Sequence, residues 1–539
     1  MTGTRQWTTM ICLVLVVASF PAAGSDFVSV SGTGFYLAGE PYFFAGTNYW
    51  YGLNLASAGI GGDRDRLHRE LDQLRDLRIR NLRIMAGSEG PNSEPWRMVP
   101  ALQTAPGVYD TDVLDGLDYL LKAMADRHLR AVMCLSNFWP WSGGLPQYVS
   151  WNGGGTIPYP PPEPGGDWNV YQDYASDFYS NPGAQQDYLD HFEFLALHVN
   201  PYTGLAYRDD PTIMAWELAN EPRGFNNNAV AFNQWIDQTA AHIKTIDPNH
   251  LVTTGCEGDT PWPSWNGLDF ITNHDGPDID YGTIHIWPQN WGWYDPTDPG
   301  GTYAAAESSA RSYFAAHEAK AVTLGKPMVL EEFGLARDGG SYDPASATTW
   351  RETFLAAMYG EVQLSASTGG PVAGDNVWAW AGEGRPLEPF GSLWSPGDPW
   401  IGDPPHEHQG WYSVYDSDTA TLDIMAAHGE AMLALIPTSG VEDGGTAGEL
   451  REGSLQISPS PGSGTVLICG RLPAAVTDAC LEVYDVSGRR VSRFPACAGE
   501  FAQPWPGEGR DGGRLSSGIY FARLSWGRQH RIAKFVYLK

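Results

Sequence analysis

IMAWELANEPRG, residues 213–224, is an apolar run that carries the carboxylate of Glu217 in its middle and ends in Asn220-Glu221-Pro222. Carboxylates are rare inside apolar strands unless they have a partner or a task. Glu217 and Glu221 have the same strand parity, and Glu217 lies deeper. We therefore interpret the run as a buried strand, Glu217 as a hydrogen-bonded carboxylate of the core, and Glu221 as a functional group at the end of the strand.

Seven more apolar runs alternate with amphipathic helices over residues 40–435. The helix at 63–79, for example, has apolar residues at helical spacing, at positions 67, 71, 74 and 77. The other predicted strands are 42–50, 81–89, 130–137, 251–258, 282–288, 327–334 and 376–384. Eight strand–helix units predict an α/β fold, a closed (β/α)8 TIM barrel over residues 25–435. A doubly wound open sheet is the alternative, but it often has a Gly-rich phosphate loop, which this sequence lacks.

Polar residues recur at the predicted C-terminal ends of these strands, which is where (β/α)8 barrels carry their chemistry. The residues are Asn48, Arg83, Asn137, Glu221, His285, Glu332 and Glu383. A single polar residue at one strand end would mean little, but their convergence on one face of a barrel predicts an active site.

Two carboxylates that flank a glycosidic bond can hydrolyse it, one as an acid that protonates the leaving oxygen and the other as a nucleophile. Glu221 ends the fourth strand, and Glu331 or Glu332 ends the seventh. These strands lie on opposite sides of the barrel mouth, so the two carboxylates can approach to about 5–5.5 Å, the retaining geometry. Because neighbours on a strand point to opposite faces, only one of Glu331 and Glu332 can face the mouth, and periodicity does not choose between them.

Three stretches carry a resemblance to a known family: DPTIMAWELANEPRG (210–224), LDFITNHDGPDIDYGTIHIWPQNW (268–291) and KPMVLEEFG (326–334). WELANEP followed by LEEFG resembles glycoside hydrolase family 5, and the three stretches together resemble its endo-β-1,4-mannanases over most of residues 40–435. The resemblance implies that Glu221 is the acid/base and that Glu332 is the nucleophile.

The resemblance also implies roles in substrate binding. Arg83 matches the strand-two arginine of the family, Asn220 the asparagine that contacts the substrate 2-hydroxyl, and His285 the strand-six histidine that helps to organise the site. Trp287 is a departure, because many relatives carry a tyrosine there that is hydrogen-bonded to the nucleophile. An indole N–H can donate a hydrogen bond but cannot accept one.

These polar residues also have plainer interpretations, with Arg83 as an interior ion-pair partner, His285 as an ordinary buried histidine and Glu331 as a structural carboxylate paired with an arginine. If Arg83 lies beside the nucleophile, its positive charge is expected to lower the pKa of Glu332. The pKa of Glu221 is expected to be raised, so that Glu221 can donate a proton.

Tryptophan is plentiful, with 22 residues, and seven lie in predicted mouth loops or strand ends: Trp139, Trp141, Trp287, Trp291, Trp378, Trp380 and Trp411. Sugar C–H faces pack well on indoles, but aromatic side chains also fill cores. We therefore expect about half of the seven to face substrate. Trp139, Trp287, Trp378 and Trp380 are predicted to bind substrate, and the shared strand parity of Trp378 and Trp380 predicts that both point inward.

The formal net charge of −30 argues against nucleic acid as a partner, because phosphate binding needs clustered Lys and Arg. An acidic surface is compatible with an exported protein that acts on a neutral polymer, and it fits a polyanionic substrate less well. The sequence predicts no cofactor and no metal site, since it has no CxxC motif and no Cys/His cluster. His406 and His408, in PPHEHQGWY (404–412), are expected in a solvated loop.

The N-terminus has the pattern of a signal peptide over residues 1–24, with Arg5 before an apolar run at 10–20 and small residues at 21–25. A membrane anchor is the alternative, but the run is too short for a comfortable span, and no later apolar run is long enough to cross a bilayer. We therefore expect an exported protein, secreted or attached to the cell surface, without a membrane span in the mature chain.

The C-terminal part of the chain changes character. Residues 436–455 are rich in Gly, Ser, Thr and acidic residues and predict a linker. Residues 456–539 alternate apolar and polar side chains between turn signals, which predicts a small β-sandwich. This part is also basic, with ten Lys or Arg against four Asp or Glu in 484–539. A disulfide among Cys469, Cys480 and Cys497 is possible from the sequence but cannot be assigned.

VYDVSGRRV, SSGIYFARL and KFVYLK, within the last 80 or so residues, resemble the C-terminal sorting domain of the type IX secretion system. The resemblance implies the secretion machinery as a partner, with release or surface attachment of the cargo. A carbohydrate-binding sandwich is the alternative, for which Tyr520, Phe521 and Trp526 are the obvious aromatic candidates.

The function predicted from these features is that of a retaining endo-β-1,4-mannanase, which hydrolyses internal bonds of mannan, galactomannan and glucomannan. An endo-β-1,4-glucanase with the same chemistry is the first alternative, because no single residue reveals a preference for the axial 2-hydroxyl of mannose. The second is a non-catalytic glycan-binding barrel at the cell surface. That alternative predicts the loss of one carboxylate, whereas the chain has both.

Overall fold

The structure, a computed structural model, shows two compact units that divide at residue 439. The first is described over residues 26–436 except Asn227. The second is described over residues 454–458, 462–463, 466–473, 476, 479–485, 489–496, 498–509, 513–516, 518–526 and 529–538. The predicted signal peptide and residues 437–453 of the predicted linker lie outside the described residues.

Eight parallel strands form the sheet at the centre of the first unit: β1 Phe44–Asn48, β2 Ile79–Met85, β3 Arg130–Cys134, β4 Ile213–Glu217, β5 Leu251–Thr253, β6 Gly282–Ile286, β7 Met328–Phe333 and β8 Val372–Val377. The strands pair in the order β5-β4-β3-β2-β1-β8-β7-β6. Each strand therefore pairs with the next one in the chain, except that β5 and β6 are the two ends of the sheet, and β1 also pairs with β8. Those ends are joined by hydrogen bonds from the Asp280 N–H to the Val252 carbonyl and from the His285 N–H to the Glu257 carbonyl. The predicted (β/α)8 barrel is confirmed.

A helix lies between each strand and the next, and one follows β8: α1 Arg64–Asp76, α2 Thr111–Ala125, α3 Pro182–Leu197, α4 Ala229–Ile246, α5 Phe270–His274, α6 Pro299–Leu324, α7 Thr349–Thr368 and α8 Thr419–Leu433. Helix α1 begins where the Asp63 carboxylate accepts a hydrogen bond from the Arg66 N–H at 2.9 Å. Its predicted apolar face is buried at Leu67, Leu71 and Leu74. Across the described residues, no helix is both long enough and apolar enough to span a membrane.

A small antiparallel sheet at the N-terminus covers one end of the barrel. Its strands are Val28–Ser31, Gly34–Leu37 and Glu40–Pro41. Val28 and Phe35 from this sheet share a buried cluster with Met214, Val329 and Ala373, which lie near the N-terminal ends of barrel strands. The opposite, C-terminal end of the barrel carries the long loops, with short helices at Gly52–Leu55, Gly144–Val149, Trp168–Ser176 and Pro263–Asn266. That end is the one available for a functional site.

Strand β8 lies earlier in the chain than predicted, at Val372–Val377 instead of 376–384. Its sequence, VAGDNV, contains Gly, Asp and Asn, which interrupt the apolar pattern even though all six residues are buried. Glu383 therefore lies well beyond the strand end, in a partly exposed ion pair with Arg69 at 2.7 Å. The prediction that Glu383 is a polar group at the barrel mouth is wrong for this reason.

The second unit consists of two β-sheets. One contains Ser454–Ser458, Val466–Leu472 and Gly499–Trp505, and the other contains Gly462–Ser463, Ala479–Asp485, Arg490–Ala496, Gly518–Trp526 and Gln529–Leu538. Val466 and Trp505 from the first sheet share one buried core with Leu481 and Phe535 from the second. The predicted small β-sandwich is confirmed. Of the C-terminal cysteines, Cys469 and Cys480 are free thiols, and Cys497 lies outside the described residues.

Candidate active site

Two glutamates face each other at the C-terminal end of the barrel. Glu221 lies four residues beyond the end of β4, and Glu332 lies on β7. Both line one cleft, and a carboxylate oxygen of one lies within 4.8 Å of a carboxylate oxygen of the other. This short separation is compatible with the spacing of about 5–5.5 Å between the two carboxyl groups of retaining glycosidases.

The backbone is strained at Glu221, which has a φ of 50° in the left-handed region. Such a conformation costs a non-glycine residue about 1–3 kcal/mol and persists only where the surroundings enforce it. Here the Glu221 N–H donates to the Gly255 carbonyl at 3.0 Å, and the Asn220 N–H donates to the Ser136 carbonyl at 2.9 Å. Loops on both sides of β4 therefore hold the turn at the residue whose carboxylate faces the cleft.

A β-bulge brings both glutamates of β7 into the interior. Leu330 pairs with Ile284, but Glu332 pairs with His285, so that Glu331 is an extra residue in the strand. Glu332 lines the cleft, and Glu331 lies buried below it, 3.8 Å from Arg83. Strand periodicity left the choice between the two open, the family resemblance implied Glu332, and the structure places Glu332 in the cleft lining.

Arg83 connects β4 and β7. Its guanidinium donates two hydrogen bonds to Glu217 and one to Glu332, and further ones to the side-chain oxygens of Asn48 at 3.0 Å and Asn220 at 2.7 Å. Glu217 is thus the paired core carboxylate that its place in the strand predicts. Asn220 lies beside Glu221 in the cleft lining, where contact with a substrate hydroxyl stays a prediction.

His285 lies between the carboxylates. Its Nδ1 atom is 2.7 Å from Glu221 Oε1 and 3.3 Å from Glu332 Oε2, and its Nε2 atom is 3.6 Å from Glu331 Oε2. Burial alone would lower the pKa of His285, but the charge of Glu332 and the hydrogen bond to Glu221 raise it to about 10. His285 is therefore an imidazolium at neutral pH.

The pKa values of the two glutamates reverse the expectation from the sequence. Burial raises the pKa of Glu332 to about 7, although His285 and Arg83 oppose the rise. Burial also favours the protonated form of Glu221, but the hydrogen bond and the charge of His285 outweigh it, so that the pKa of Glu221 is lowered. The physical reason is that His285, 2.7 Å from Glu221, holds the proton that the sequence analysis assigns to Glu221 itself.

Nine of the twenty residues that line the cleft are tryptophans, around a cavity of about 520 Å³. Six of the seven tryptophans singled out in the sequence line it: Trp139, Trp141, Trp287, Trp291, Trp378 and Trp411. More than the expected half therefore face the site. Trp168, Trp262 and Trp265 line it too, and the sequence analysis missed them because they lie in the long segments between strands and helices of the barrel, Trp168 and Trp265 on short additional helices.

Trp380 is the exception among the predicted substrate-binding residues. It is fully buried and does not line the cleft. The prediction that Trp378 and Trp380 both point inward assumed one continuous strand, whereas β8 ends at Val377 and Trp380 belongs to a separate two-stranded sheet with Val414–Tyr415. The prediction that Trp380 points inward is therefore wrong.

Two predicted tryptophans have well-defined neighbours. The indole N–H of Trp139 donates to Glu221 Oε2, so this side chain contacts one of the two facing carboxylates directly. Trp287 packs against Trp378 and Tyr412, with ring centroids 6.0 and 4.9 Å away. Within the described part of the chain, no hydrogen bond joins Trp287 to Glu332, and Arg83 donates to Glu332 instead.

Arg223 is a site residue that the sequence analysis missed. It donates to Glu257 Oε2 at 2.7 Å and lies over the ring of Trp139, 4.8 Å from its centroid. Since Trp139 donates to Glu221, Arg223 supports the tryptophan that holds the Glu221 carboxylate. Its place directly after Asn-Glu-Pro was the available signal.

The segment with His406 and Glu407 belongs to the cleft, where His406 and Glu407 are half-buried and His408 is exposed. His406, Glu407 and His408 line the cavity. The Glu407 Oε2 and His406 Nδ1 atoms are buried and have no hydrogen-bond partner. Burial raises the pKa of Glu407 well above its ordinary value. Buried polar atoms without partners are costly, and their position in the cleft makes them candidates to contact substrate hydroxyls.

Glu221, His285 and Glu332 could in principle bind a metal ion, because one potential ligand atom of each lies within 4.8 Å of the others. The hydrogen bonds present fit proton transfer better. His285 Nδ1 is engaged by Glu221, and Arg83, a competing cation, already donates to Glu332.

The chain is similar throughout the barrel to proteins that act on mannosides. A family model described as GH family 5 beta-mannosidase-like matches residues 25–436. A putative mannan endo-1,4-beta-mannosidase 9 of Oryza sativa subsp. japonica is 32% identical over 366 residues, which are 66% of this chain and 82% of the relative.

Two solved structures from Rhizomucor miehei are similar as well. A glycoside hydrolase family 5 mannosidase is 38% identical, with a TM-score of 0.70 over 76% of this chain and 99% of the other. An endo-1,4-beta-mannanase is 24% identical, with a TM-score of 0.55 over 76% of this chain and 99% of the other, and shows the same fold.

Proposed function

The chain belongs to glycoside hydrolase family 5, and from this premise we propose that it hydrolyses β-1,4-mannosidic bonds of mannan polysaccharides by a retaining displacement in two steps. The observation that carries the proposal is the pair Glu221 and Glu332, which face each other within 4.8 Å in one tryptophan-lined cleft. The similarity to a plant protein named as a mannan endo-1,4-beta-mannosidase supports mannan as the polymer.

In the first step Glu332 attacks the anomeric carbon and forms a glycosyl ester. The bond from this carbon to the leaving oxygen breaks, and the leaving oxygen takes a proton from Glu221. Arg83 donates to Glu332 Oε1, which leaves Oε2 as the attacking atom. The proton comes from the Glu221–His285 pair, across their 2.7 Å hydrogen bond.

In the second step a water molecule attacks the anomeric carbon of the ester, and Glu332 is released as a carboxylate. Glu221 now acts as a base and takes a proton from this water, so the Glu221–His285 pair regains the proton that it lost in the first step. Two displacements at the same carbon return its configuration to that of the substrate.

The protonation states predict how kcat/KM depends on pH. The first step needs Glu332 ionised, so the rate falls as the pH drops through the pKa of Glu332, about 7. It also needs a proton on the Glu221–His285 pair, so the rate falls as the pH rises through the pKa of His285, about 10. We expect a bell-shaped profile with its optimum on the alkaline side of neutrality, measured with manno-oligosaccharides at constant ionic strength. An optimum below about pH 6 would contradict these assignments.

A panel of polymers tests the proposed substrate. Purified protein is incubated with galactomannan, glucomannan, cellulose and xylan, and released reducing ends are measured. Activity on the two mannans with little on cellulose is expected. Activity on cellulose alone would select the β-glucanase alternative, and inactivity on every polymer and oligosaccharide would leave the glycan-binding alternative.

Internal cleavage is the mode that the plant relative's name suggests, and one structural feature favours a second mode, release of mannose from chain ends. The segment between β8 and α8 contacts the loops that follow β1 and β3. Trp400 donates to the Gly61 carbonyl in the first of these loops at 3.1 Å, and the ring of His406 lies 5.9 Å from that of Trp168 in the second. A segment held by these two loops is placed to close one end of the cleft. The similarity to the R. miehei mannosidase supports this mode.

Viscosity and reducing ends of the same galactomannan solution separate the two modes. Internal cleavage lowers viscosity steeply for each bond broken, whereas terminal release changes viscosity little and yields mannose as the first product. Borohydride-reduced mannohexaose serves as the matched oligosaccharide, because its altered reducing end shows from which end mannose is removed.

Glu407→Gln is expected to lower kcat/KM on manno-oligosaccharides by about 2–10-fold, because the raised pKa favours the uncharged acid and a hydrogen bond between uncharged groups is worth about 0.5–1.5 kcal/mol. Thermal stability is expected to be unchanged or higher, since the free protein gains nothing from a buried carboxylate oxygen without a partner. Initial rates and thermal unfolding measure the two effects.

Glu388→Gln is the matched control for this variant, because Glu388 is exposed in the same segment. It is expected to leave both quantities unchanged. A Glu407→Gln variant with full activity would show that this carboxylate does not contact substrate.

We propose further that the second unit directs export, with secretion or surface attachment of the barrel. Support comes from the resemblance of its sequence to sorting domains and from its separation as a compact unit. Deletion of residues 440–539 is expected to leave mannan hydrolysis by the purified barrel intact and to abolish its export in a host with type IX secretion. Continued export contradicts the proposal, and weaker binding to insoluble mannan would favour the carbohydrate-binding alternative.

A further inference from the structure

Glu331 is a buried carboxylate that the two-step mechanism does not use. The bulge in β7 places it inside the barrel, where it is fully buried. Its backbone carbonyl accepts a hydrogen bond from the Asn48 amide at 2.9 Å, but neither carboxylate oxygen has a hydrogen-bond partner. A buried carboxylate in this condition is costly, so its presence calls for a function.

Few charged groups face Glu331 at neutral pH. The titratable and charged groups around it are Arg83, Cys134, Glu217, Cys256, His274, Tyr281 and His285. Burial raises the pKa of both cysteines and of the tyrosine and lowers the pKa of His274 to about 4, so these four are neutral. Arg83, Glu217 and His285 remain as the groups that can respond to the charge of Glu331.

Arg83 is already engaged. Its donors are taken by Glu217, Glu332 and two asparagines, and it lies 3.8 Å from Glu331 without a hydrogen bond. His285 Nε2, in contrast, is a buried donor that has no hydrogen-bond partner and lies 3.6 Å from Glu331 Oε2. The two unsatisfied groups therefore face each other, and a small movement would join them.

His285 also faces Glu221 and Glu332 through Nδ1, and Glu257 at longer range. The acid/base and Glu331 thus lie against opposite nitrogens of one imidazole ring. A carboxylate on the far nitrogen of a histidine fixes which tautomer forms when the near nitrogen gives up its proton.

We propose that Glu331 is a positioning residue, which keeps a proton on His285 Nε2 so that Nδ1 is the atom that exchanges the catalytic proton with Glu221. The proposal rests on the proposed hydrolase function. Before the first step His285 carries protons on both nitrogens. The Nδ1 proton moves to Glu221 Oε1 and from there to the leaving oxygen, while the Nε2 proton stays opposite Glu331. In the second step a proton from water returns to Nδ1 through Glu221.

Glu331→Gln tests this role, because the amide keeps the shape of the side chain and removes its charge. Loss of an opposite charge within about 4–6 Å shifts a pKa by about 1–3 units, so the alkaline limb of the kcat/KM profile is expected to move to lower pH by at least about one unit. KM for manno-oligosaccharides is expected to change little. Glu331→Asp is expected to restore part of the alkaline limb. A variant that is folded and less active, with an unmoved alkaline limb, overturns the proposal.

Asp375→Asn is the matched control. Asp375 is another buried carboxylate that pairs with a histidine, His428, at 2.6 Å, but it lies outside the cleft lining. Its replacement is expected to lower stability without moving the alkaline limb. An equal shift in both variants would mean that any buried charge has the effect, and would overturn the specific role of Glu331.

Nitrogen-15 NMR of histidine-labelled protein tests the role of Glu331 without an activity assay. It therefore separates failure of this proposal from failure of the hydrolase function. The signals of His285 are identified by their loss in His285→Asn. In the wild-type protein both ring nitrogens are expected to be protonated at pH 7, and deprotonation is expected at Nδ1 first. A neutral His285 at pH 7, or first loss of the Nε2 proton, overturns the proposal even if no Glu331 variant folds.

Discussion

Glu332→Gln is expected to lower kcat on mannan by about four to six orders of magnitude, because the variant has no nucleophile with which to form the glycosyl ester. The Gln carbonyl can still accept the hydrogen bond from Arg83, so the cleft keeps its shape. KM, or the dissociation constant of a manno-oligosaccharide measured by calorimetry, is expected to change far less than kcat. Activity on mannan that survives this substitution refutes the assignment of the nucleophile.

Azide distinguishes loss of the nucleophile from a general disturbance of the site. In Glu332→Gly the small anion can occupy the vacated space and attack the anomeric carbon of an activated β-mannoside once. The product is then an α-mannosyl azide, with configuration opposite to that of the substrate. Glu383→Gln is the matched control, because Glu383 forms a partly exposed ion pair with Arg69, and its replacement is expected to change kcat by less than about twofold.

The stability of Glu332→Gln provides a further check. The pKa of Glu332 is raised to about 7 in the folded protein, against an ordinary value of about 4.3. Ionisation of Glu332 therefore opposes folding, an effect that is absent below about pH 4 and complete above about pH 7. Relative to wild type, the variant is expected to have an unchanged or higher melting temperature at pH 8 and no such advantage at pH 4. A catalytic loss with this profile cannot be ascribed to unfolding.

The barrel and the meeting of Glu221 with Glu332 in one cleft could be predicted from the sequence because local patterns determine them. The run at 213–224 shows both a buried strand and the polar residues that follow it. Six further strands of the barrel were recognised from their apolar runs in the same way. Parallel strands of a barrel end on one face, so polar groups at several strand ends must converge. Glu221 and Glu332 meet for this reason, although they are more than a hundred residues apart.

Features that depend on contacts between strands could not be predicted in this way. The bulge that places both Glu331 and Glu332 inside the barrel is a property of the pairing of β6 with β7. The buried polar residues of VAGDNV interrupt the apolar pattern, so the sequence analysis placed β8 too late in the chain. Because Trp380 was assigned to that strand, its orientation was predicted wrongly as well. Alternation along one strand contains no information on such shifts.

The protonation states of Glu221, Glu332 and His285 could not be predicted from the sequence, for a related reason. From sequence, Arg83 and Glu332 suggested a simple pair, in which the nucleophile would have a lowered pKa. In the structure Arg83 is shared by four partners, and His285 contacts both catalytic carboxylates. Where several buried groups share protons, their order of titration follows from all the distances together, which only the folded chain provides.

Glu221→Ala is the second substitution with a large expected effect, and its size is expected to depend on the leaving group. On mannan, whose leaving sugar oxygen needs a proton, kcat/KM is expected to fall by about 10³–10⁴-fold. On a dinitrophenyl β-mannoside the first step needs no proton, so it is expected to stay fast, while the second step slows because no base activates water. A burst of dinitrophenol followed by a slow steady state is the expected time course, and it is measured by stopped-flow absorbance.

Azide also tests the role of Glu221, and here the expected product has the opposite anomeric configuration. In Glu221→Ala the nucleophile is intact, so azide intercepts the glycosyl ester in the second displacement and yields a β-mannosyl azide. The alkaline limb of the kcat/KM profile for the activated substrate is expected to disappear, since the proton held between Glu221 and His285 is no longer used. If Glu221 and Glu332 had exchanged roles, the two variants would give the reverse pair of azide anomers. The anomeric configuration therefore decides the assignment independently of any rate.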